Sequence, residues 1–186
     1  MVFTQTVDQV VISSVRKSHS DGRSDGASAG VVFTGQRHFS CKIGRNGIGQ
    51  KQGEGDGITP IGRWKMGYFL YRADRIGKPQ SFLSGFAIKP QDSWCDIPGS
   101  RRYNQPLGLT MANSSEALWR QDDLYNVIVV LDHNTCPFVA GKGSAIFVHI
   151  SNSQTTYTQG CIALNQSDLL KLLVISGPQT EIIVRS

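Results

Sequence analysis

A histidine and a cysteine that lie twelve positions apart are the residues of this sequence best suited to covalent chemistry. His149 lies near the end of the apolar stretch AIFVHI, and Cys161 follows Gly160 in the segment TQGCIAL. The attacking form of a cysteine is its thiolate, which a free thiol supplies only in small part near neutral pH. A nearby imidazole can take the thiol proton and later return it to an amine. The pair therefore predicts acyl transfer, with Cys161 as nucleophile and His149 as base.

The residues just before Cys161 are typical of an oxyanion hole. Gly160 lets successive backbone N–H groups converge on one point, and we expect donors from Gly160 and Cys161, joined by Gln159. Two plainer interpretations stay open, because an isolated cysteine is often a small core residue and an isolated histidine on a strand is often structural. A second pair, His133 and Cys136, lies in the segment DHNTCP, which we interpret as a turn.

The elements around the pair predict a mainly β fold of mixed, mostly antiparallel strands with a few short helices. Continuous apolar runs at Tyr125–Leu131 and Ala145–Ile150 are typical of buried strands. The other expected elements are a first strand at Val7–Val15, a hairpin at Val31–Ile43 that turns at Gly35, a strand at Trp64–Tyr71, a helix at Ser114–Arg120, a helix at Asp168–Val174 capped by Asn165 or Ser167, and a last strand at Glu181–Val184. The irregular segment Gly77–Leu107 is predicted to cover the site.

Length and composition are those of one globular domain over residues 1–186, of which 1–28 are expected to be partly flexible. The charge of +5 comes from scattered basic residues, and no nucleic-acid motif accompanies them, so nucleic-acid binding is not expected. The sequence has neither an apolar run long enough to span a membrane nor a recognisable signal peptide at its start. Its four cysteines form no CxxC pair, which argues against a structural zinc site, and we expect no metal or other cofactor.

The segment HISNSQTTYTQGCIAL resembles the active-site motif of L,D-transpeptidase catalytic domains of the YkuD type. The matching positions are His149, Thr158, Gly160 and Cys161. The stretches KQGEGDG at Lys51–Gly57 and TPIG at Thr59–Gly62 are similar to a turn of the same family. Further matches to a divergent proteobacterial branch lie at Trp94–Asp96, Tyr103–Asn104, Ser115–Glu116, Leu118–Arg120, Leu124–Tyr125 and Gly141–Phe147. The resemblance covers about residues 30–175, most of the chain.

Two positions depart from the family pattern, and so does one spacing. Many members have His where Gln159 stands and Arg where Ala163 stands, and their His–Cys separation is longer. Cys161, His149 and Gly160 are nevertheless all present, so we interpret the departures as a distinct substrate geometry.

The resemblance implies a β-sandwich or barrel-like fold and a two-step transfer on peptidoglycan stem peptides. Cys161 would attack the L,D-peptide bond of a donor, release a D-amino acid, and pass the acyl group to an amine, which gives a 3–3 or 1–3 cross-link. Water or a free D-amino acid as acceptor would give L,D-carboxypeptidase or exchange activity. The expected location is the periplasm or cell envelope, and the expected state is a monomer.

Several residues are candidates for substrate contact. Arginine side chains bind peptide carboxylates well because the guanidinium group can donate two hydrogen bonds to one carboxylate. The candidates are three arginines, two aromatic residues and two residues of the motif: Arg101, Arg102, Arg120, Tyr103, Trp119, Thr158 and Gln159. The alternative is that the two aromatic residues pack beneath the long segment and that the arginines lie on the surface. We interpret Ser115 and Glu116 as residues that stabilise the site.

Two other classes of protein compete with this interpretation. Papain-like and NlpC-type peptidases place the cysteine before the histidine in the chain, whereas here His149 comes first. A non-catalytic peptidoglycan-binding protein is the second alternative, and the intact set of Cys161, His149 and Gly160 argues against it.

Overall fold

The computed structural model describes residues 6–15, 28–108 and 115–186. Within these ranges the chain is mainly β, as predicted, with a single α-helix. The strands in chain order are β1 (Gln9–Ser14), β2 (Ala29–Phe33), β3 (His38–Lys42), β4 (Ile48–Gly49), β5 (Thr59–Pro60), β6 (Gly62–Tyr71), β7 (Gly85–Ala87), β8 (Ser93–Trp94), β9 (Pro106–Leu107), β10 (Glu116–Ala117), β11 (Val127–Leu131), β12 (Phe147–Ile150), β13 (Ile162–Leu164) and β14 (Glu181–Arg185). The helix α1 spans Gln166–Val174 and lies between β13 and β14.

The large sheet closes on itself. Its strands follow the order β11-β12-β13-β3-β2-β1-β14-β6-β7, and β11 also pairs with β6. This extra pairing joins the two sides of the sheet into a barrel-like arrangement, which leaves β7 as an added strand beside β6. Closure removes most exposed strand edges. The fold class expected from the sequence is confirmed.

Strands β11, β12 and β13 are buried on both faces, which explains why they appear as continuous apolar runs. Because side chains alternate along a strand, Val127, Val129 and Leu131 of β11 join the larger core. Ile128 and Val130 join a second cluster on the opposite face. The second cluster forms the floor of the candidate site described below.

Helix α1 begins and ends as its sequence predicts. The Asn165 side chain accepts a hydrogen bond from Asp168 N at 2.9 Å, which makes Asn165 the N-cap. Leu169, Leu172 and Leu173 form the buried face, and they pack into the larger core. Of the two capping residues considered, Asn165 is therefore the one used.

The hairpin of β2 and β3 is also confirmed, with Gly35 at its turn in a left-handed conformation of φ +80°. The predicted helix at Ser114–Arg120 is wrong for the part that the structure describes, while Ser114 lies outside the described residues. Strand β10 occupies this place and pairs with β8, because Glu116 lies opposite Trp94 and Leu118 N donates to Asp92 O at 3.0 Å. Tertiary pairing here outweighs local helix propensity. Of the segment 1–28 that was expected to be partly flexible, residues 1–5 and 16–27 lie outside the described residues.

The segment Gly77–Leu107 is a packed wall of the site, built around the short strands β7, β8 and β9. Ile88, Trp94 and Tyr103 are buried within it. Trp94 meets Phe147 of β12 edge to face, with ring centroids 5.1 Å apart. The wall is thereby attached to the strand that carries His149.

Candidate active site

Pairing between β12 and β13 brings the predicted base and nucleophile together. The strands are parallel, and His149 lies opposite Ala163. Cys161 precedes Ala163 by two positions, so its side chain leaves the same face of the sheet as those of Ala163 and His149. The histidine and the cysteine are therefore diagonal neighbours over the second cluster, with Phe147 across from Cys161 and Ala163 across from His149.

The thiol of Cys161 is half-buried and has two backbone partners. Cys161 Sγ donates to Ala145 O at 3.1 Å, and Phe147 N donates to Cys161 Sγ at 3.5 Å. The thiol proton is therefore directed at a carbonyl, and proton transfer to His149 requires the thiol to leave Ala145 O. Burial, followed by the Glu116 carboxylate, raises the pKa of Cys161 to about 12. The resting cysteine is accordingly a neutral thiol.

The imidazole of His149 is fixed in one orientation. Its Nδ1 lies 2.9 Å from Ile150 O. A carbonyl can only accept, so Nδ1 carries the hydrogen and Nε2 is left with the free lone pair. The Tyr125 ring packs edge-on against the imidazole at a centroid distance of 5.4 Å, and the Tyr125 hydroxyl bonds to Glu116. Burial lowers the pKa of His149 to about 4, so the ring is neutral near pH 7 and able to accept a proton.

Two threonines hold the carbonyl of Cys161. Thr158 Oγ1 donates to Cys161 O at 2.6 Å, and Thr59 Oγ1 lies 3.3 Å from the same oxygen. Each hydroxyl in turn accepts a backbone N–H, from Gly160 at 3.1 Å and from Gly44 at 2.8 Å respectively. Thr158 thus positions the peptide group between Cys161 and Ile162. The N–H of Gly160, predicted as an oxyanion donor, donates to Thr158 Oγ1 in this structure, and its role as an oxyanion donor stays a prediction.

A cavity of about 480 Å³ opens above the pair. Five of the predicted site residues line it, namely His149, Cys161, Arg120, Thr158 and Gln159. Sequence reasoning missed most of its charged lining, which consists of Lys42, Lys51, Glu54, Asp96 and Glu116. The sequence carried a signal for some of these residues, since Lys51 and Glu54 belong to the family-like stretch and Asp96 and Glu116 lie in the shorter matches.

Four of the predicted substrate contacts do not line this cavity: Arg101, Arg102, Tyr103 and Trp119. Tyr103 is fully buried, and its hydroxyl bonds to Glu54. Trp119 packs beneath the Arg72 guanidinium, which lies 3.6 Å from the ring centroid. Arg101 is exposed, and exposed Arg102 binds Gln105 Oε1 at 2.9 Å within its own turn. These positions agree with the alternative in which the aromatic residues are packed and the arginines lie on the surface.

Asn104 stabilises the backbone beside the thiol, and sequence reasoning gave it no role. It is buried and left-handed, with φ of 57°. Its Oδ1 accepts from Trp94 Nε1 and Ala145 N, both at 3.0 Å. Its Nδ2 donates to His133 O at 2.9 Å and to Asn134 O at 2.8 Å. Every hydrogen-bonding position of the amide is used, and one of the bonds fixes Ala145, whose carbonyl accepts from the thiol.

Ala145 itself has a left-handed backbone, with φ of 51°. Such a conformation costs energy in a residue with a side chain and is concentrated at functional sites. His133 and Cys136 form the turn predicted for them, away from the cavity of Cys161. Cys41 and Cys95 are buried free thiols, and Cys136 is an exposed one.

Two searches for other features gave negative results over residues 6–15, 28–108 and 115–186. No three histidine, cysteine or acidic side chains in these ranges are grouped so as to hold a metal ion. The described helix is neither long nor apolar enough to cross a membrane.

Comparison with known families agrees with the geometry. The family described as the L,D-transpeptidase catalytic domain, YkuD, matches residues 27–184. No curated protein and no solved structure matches the chain. The family match includes every strand from β2 to β13, helix α1, and the elements that hold Cys161 and His149. The chain therefore belongs to the YkuD family of L,D-transpeptidase catalytic domains.

Proposed function

We propose that the protein is a peptidoglycan L,D-transpeptidase with Cys161 as its nucleophile. The observation that carries the proposal is the diagonal placement of a partly exposed thiol and a neutral imidazole on one sheet face, at the floor of one cavity. The same placement is what a thiol and its general base need in order to share a proton.

The proposed reaction has two steps. The thiol passes its proton to His149 Nε2, and the sulfur attacks the carbonyl on the L-centre side of an L,D-peptide bond in a donor stem peptide. The C–N bond breaks, the released D-amino acid takes the proton from His149, and a thioester remains. An acceptor amine then attacks the thioester carbonyl and gives a proton to His149. The C–S bond breaks, the Cys161 sulfur takes that proton back from His149, and the new amide bond is a 3–3 or 1–3 cross-link.

The protonation states support this order of events. The free protein holds a neutral thiol and a neutral imidazole, since burial raises the pKa of Cys161 to about 12 and lowers that of His149 to about 4. A thiolate–imidazolium pair is therefore not the resting state. Proton transfer from the thiol to His149 is expected to accompany attack of the sulfur on a bound substrate.

The charges of the cavity support a substrate that carries both signs. Lys42 and Arg120 line the cavity as cations, and a peptide carboxylate would bind them beside or in exchange for their present partners, which are the carbonyls of Asn152 and Thr155 for Lys42 and the Asp122 carboxylate for Arg120. Glu54 and Asp96 offer anions for an ammonium group such as that of the acceptor. This acidic wall favours an amine acceptor over water. L,D-carboxypeptidase or D-amino-acid exchange activity on the same thioester is the second candidate, and non-catalytic peptidoglycan binding is the third.

The test uses purified protein and isolated sacculi, followed by mass spectrometry of the muropeptides. Transpeptidation predicts 3–3 or 1–3 dimers, whereas hydrolysis predicts trimmed tripeptides alone. Cys161→Ala should abolish both, while Cys136→Ser, which removes an exposed thiol elsewhere, should be as active as the parent protein. Products from Cys161→Ala would refute the nucleophile, and bound but unchanged muropeptides with the parent protein would favour the non-catalytic alternative.

We also propose that the protein acts as a monomer in the periplasm or cell envelope, because stem peptides of the mature wall are found there. Cell fractionation and light scattering of the purified protein test the two parts separately. Recovery of the protein in the cytoplasm alone would contradict the first part, and a mass of twice the chain would contradict the second.

A further inference from the structure

A buried ion pair lies directly beneath the peptide that carries the nucleophile. Lys51 Nζ lies 2.5 Å from Asp56 Oδ1, and the two side chains are only 7% and 13% exposed. Lys51 Nζ also lies 3.3 Å from Ile58 O. An ammonium in such a position is fixed in place, whereas a lysine on the surface samples many rotamers.

The loop that contains Asp56 forms the position in which this ammonium is bound. The Asp56 carboxylate accepts backbone N–H groups from Gln52 at 2.7 Å, Gly53 at 3.2 Å and Ile58 at 2.9 Å. These bonds satisfy the carboxylate independently of the lysine, so the loop holds its shape around a prepared anion. The hydrogen bonds to Asp56 therefore order the loop without Lys51, and Lys51 adds a positive charge at a fixed position beside it.

Gly160 shows how close this charge lies to the nucleophile. A Cβ added at Gly160 would lie 3.2 Å from Lys51 Nζ and 2.8 Å from Ile58 O. The space that a side chain would need is thus taken by the ammonium and by the carbonyl beside it. The requirement for glycine before Cys161 follows from this close approach as well as from the left-handed φ of +130°.

Other charged groups line the same cavity as Cys161, and the negative ones oppose the effect of Lys51 on the sulfur. The carboxylates of Glu54, Asp96 and Glu116 line the same cavity, and they disfavour negative charge there. Lys42 and Arg120 line it as well, but Lys42 Nζ is engaged with the carbonyls of Asn152 and Thr155, and Arg120 binds Asp122. All three cations are engaged in hydrogen bonds, and Lys51 is the one of them that lies 3.2 Å from the place a Cβ would take at Gly160.

We propose that Lys51 is a positioning residue that stabilises negative charge on the Cys161 sulfur and on the oxyanion formed beside it. It does so through its field across Gly160, without touching the reacting atoms. The inference rests on the proposed role of Cys161 as nucleophile and deepens that role. Its effect on the sulfur has a direct readout, because loss of a neighbouring cation raises the pH at which the thiolate forms.

The experiment measures alkylation of Cys161 by iodoacetamide as a function of pH. Attack by the thiolate forms the S–C bond and releases iodide, so the rate reports the thiolate fraction. All proteins carry Cys136→Ser to remove the exposed thiol, and peptide mass spectrometry quantifies the adduct at Cys161. Lys51→Gln removes the charge but keeps a donor for Asp56, and Lys171→Met removes a charge from the exposed face of α1 as a control.

Lys51→Gln is expected to slow alkylation about tenfold at a fixed pH, the effect of one unit of pKa shift. Lys171→Met should match the parent protein. A purely structural role predicts a lower melting temperature for Lys51→Gln with an unchanged pH profile of alkylation, and that result would overturn the inference. If Cys161→Ala still made cross-links, the proposed function would fall instead, so the two failures are distinguishable.

Discussion

Replacement of Asn104 by glycine tests whether one buried amide holds the wall of the site in place. The substitution removes four hydrogen bonds, to Trp94 Nε1, Ala145 N, His133 O and Asn134 O. It keeps the left-handed backbone at φ 57° accessible, because glycine adopts that region freely. Any loss of stability beyond the chain-entropy cost of glycine therefore reports the hydrogen bonds.

The magnitude follows from the number of bonds. Each buried hydrogen bond contributes a net stability of about 1 kcal/mol, so four of them amount to about 4 kcal/mol. The greater freedom of glycine in the unfolded chain adds at most about 1 kcal/mol. A loss of about 4–5 kcal/mol would be a large part of the stability of an ordinary domain, which is about 5–15 kcal/mol.

The assay is urea unfolding followed by tryptophan fluorescence, with Asn134→Gly as the matched control. Asn134 is also left-handed, at φ 51°, and makes three side-chain hydrogen bonds. It is half-exposed, however, so water can replace its amide, and we expect a loss of only about 1–2 kcal/mol. Equal losses in the two variants, or a loss below about 1 kcal/mol for Asn104→Gly, would refute the reasoning that burial makes this network strong.

Three further predictions concern His149, Gly160 and Trp119. Burial lowers the pKa of His149 from 6.5 to about 4, so between these values the unfolded chain binds more protons than the folded one, and the free energy of unfolding falls as the pH drops. His149→Gln should therefore lose less stability than the parent protein between pH 7 and pH 5. Equal losses of stability in urea titrations at the two pH values would contradict this. Gly160→Ala places a Cβ 2.8 Å from Ile58 O at a backbone φ of +130°, and we expect it to lower the free energy of unfolding by about 2–4 kcal/mol. Gly99 has open space around it, so Gly99→Ala should melt at the same temperature as the parent protein. Trp119→Leu should lower the free energy of unfolding by about 1–2 kcal/mol, because it removes the stack between the indole and the Arg72 guanidinium, and it should leave the KM for donor peptide unchanged. A raised KM with an unchanged melting temperature would instead support Trp119 as a substrate contact.

Much of the fold could be predicted because its signals are local. The apolar run at Val127–Leu131 and the cap at Asn165 each depend on a few neighbouring residues, and the structure has both elements. The segment around Glu116 could not be predicted in this way. Its serines and leucine suit a helix, but pairing with Trp94, a distant residue in sequence, makes it a strand.

In the candidate site, too, the features that depend on neighbouring residues could be predicted and those that depend on distant contacts could not. Cys161 and His149 stand in one recognisable segment, so their types and order indicated the chemistry. The charges around them arrive from separate loops, and the position of Lys51 beneath Gly160 depends on packing that spacing along the chain does not encode. Tyr103 was predicted to contact substrate because a tyrosine beside arginines is typical of a binding surface, whereas in the structure its side chain is buried and its hydroxyl bonds to Glu54.

The parallel pairing of β12 and β13 has a consequence for how such sites vary. The register of His149 with Ala163 sets the separation of imidazole and sulfur in space, so the connecting residues 151–158 contribute no length to it. Insertions or deletions in this connection can therefore accumulate during evolution while the reacting groups keep their distance. A search that demands a fixed number of residues between the histidine and the cysteine would therefore overlook chains in which the two side chains have the same arrangement.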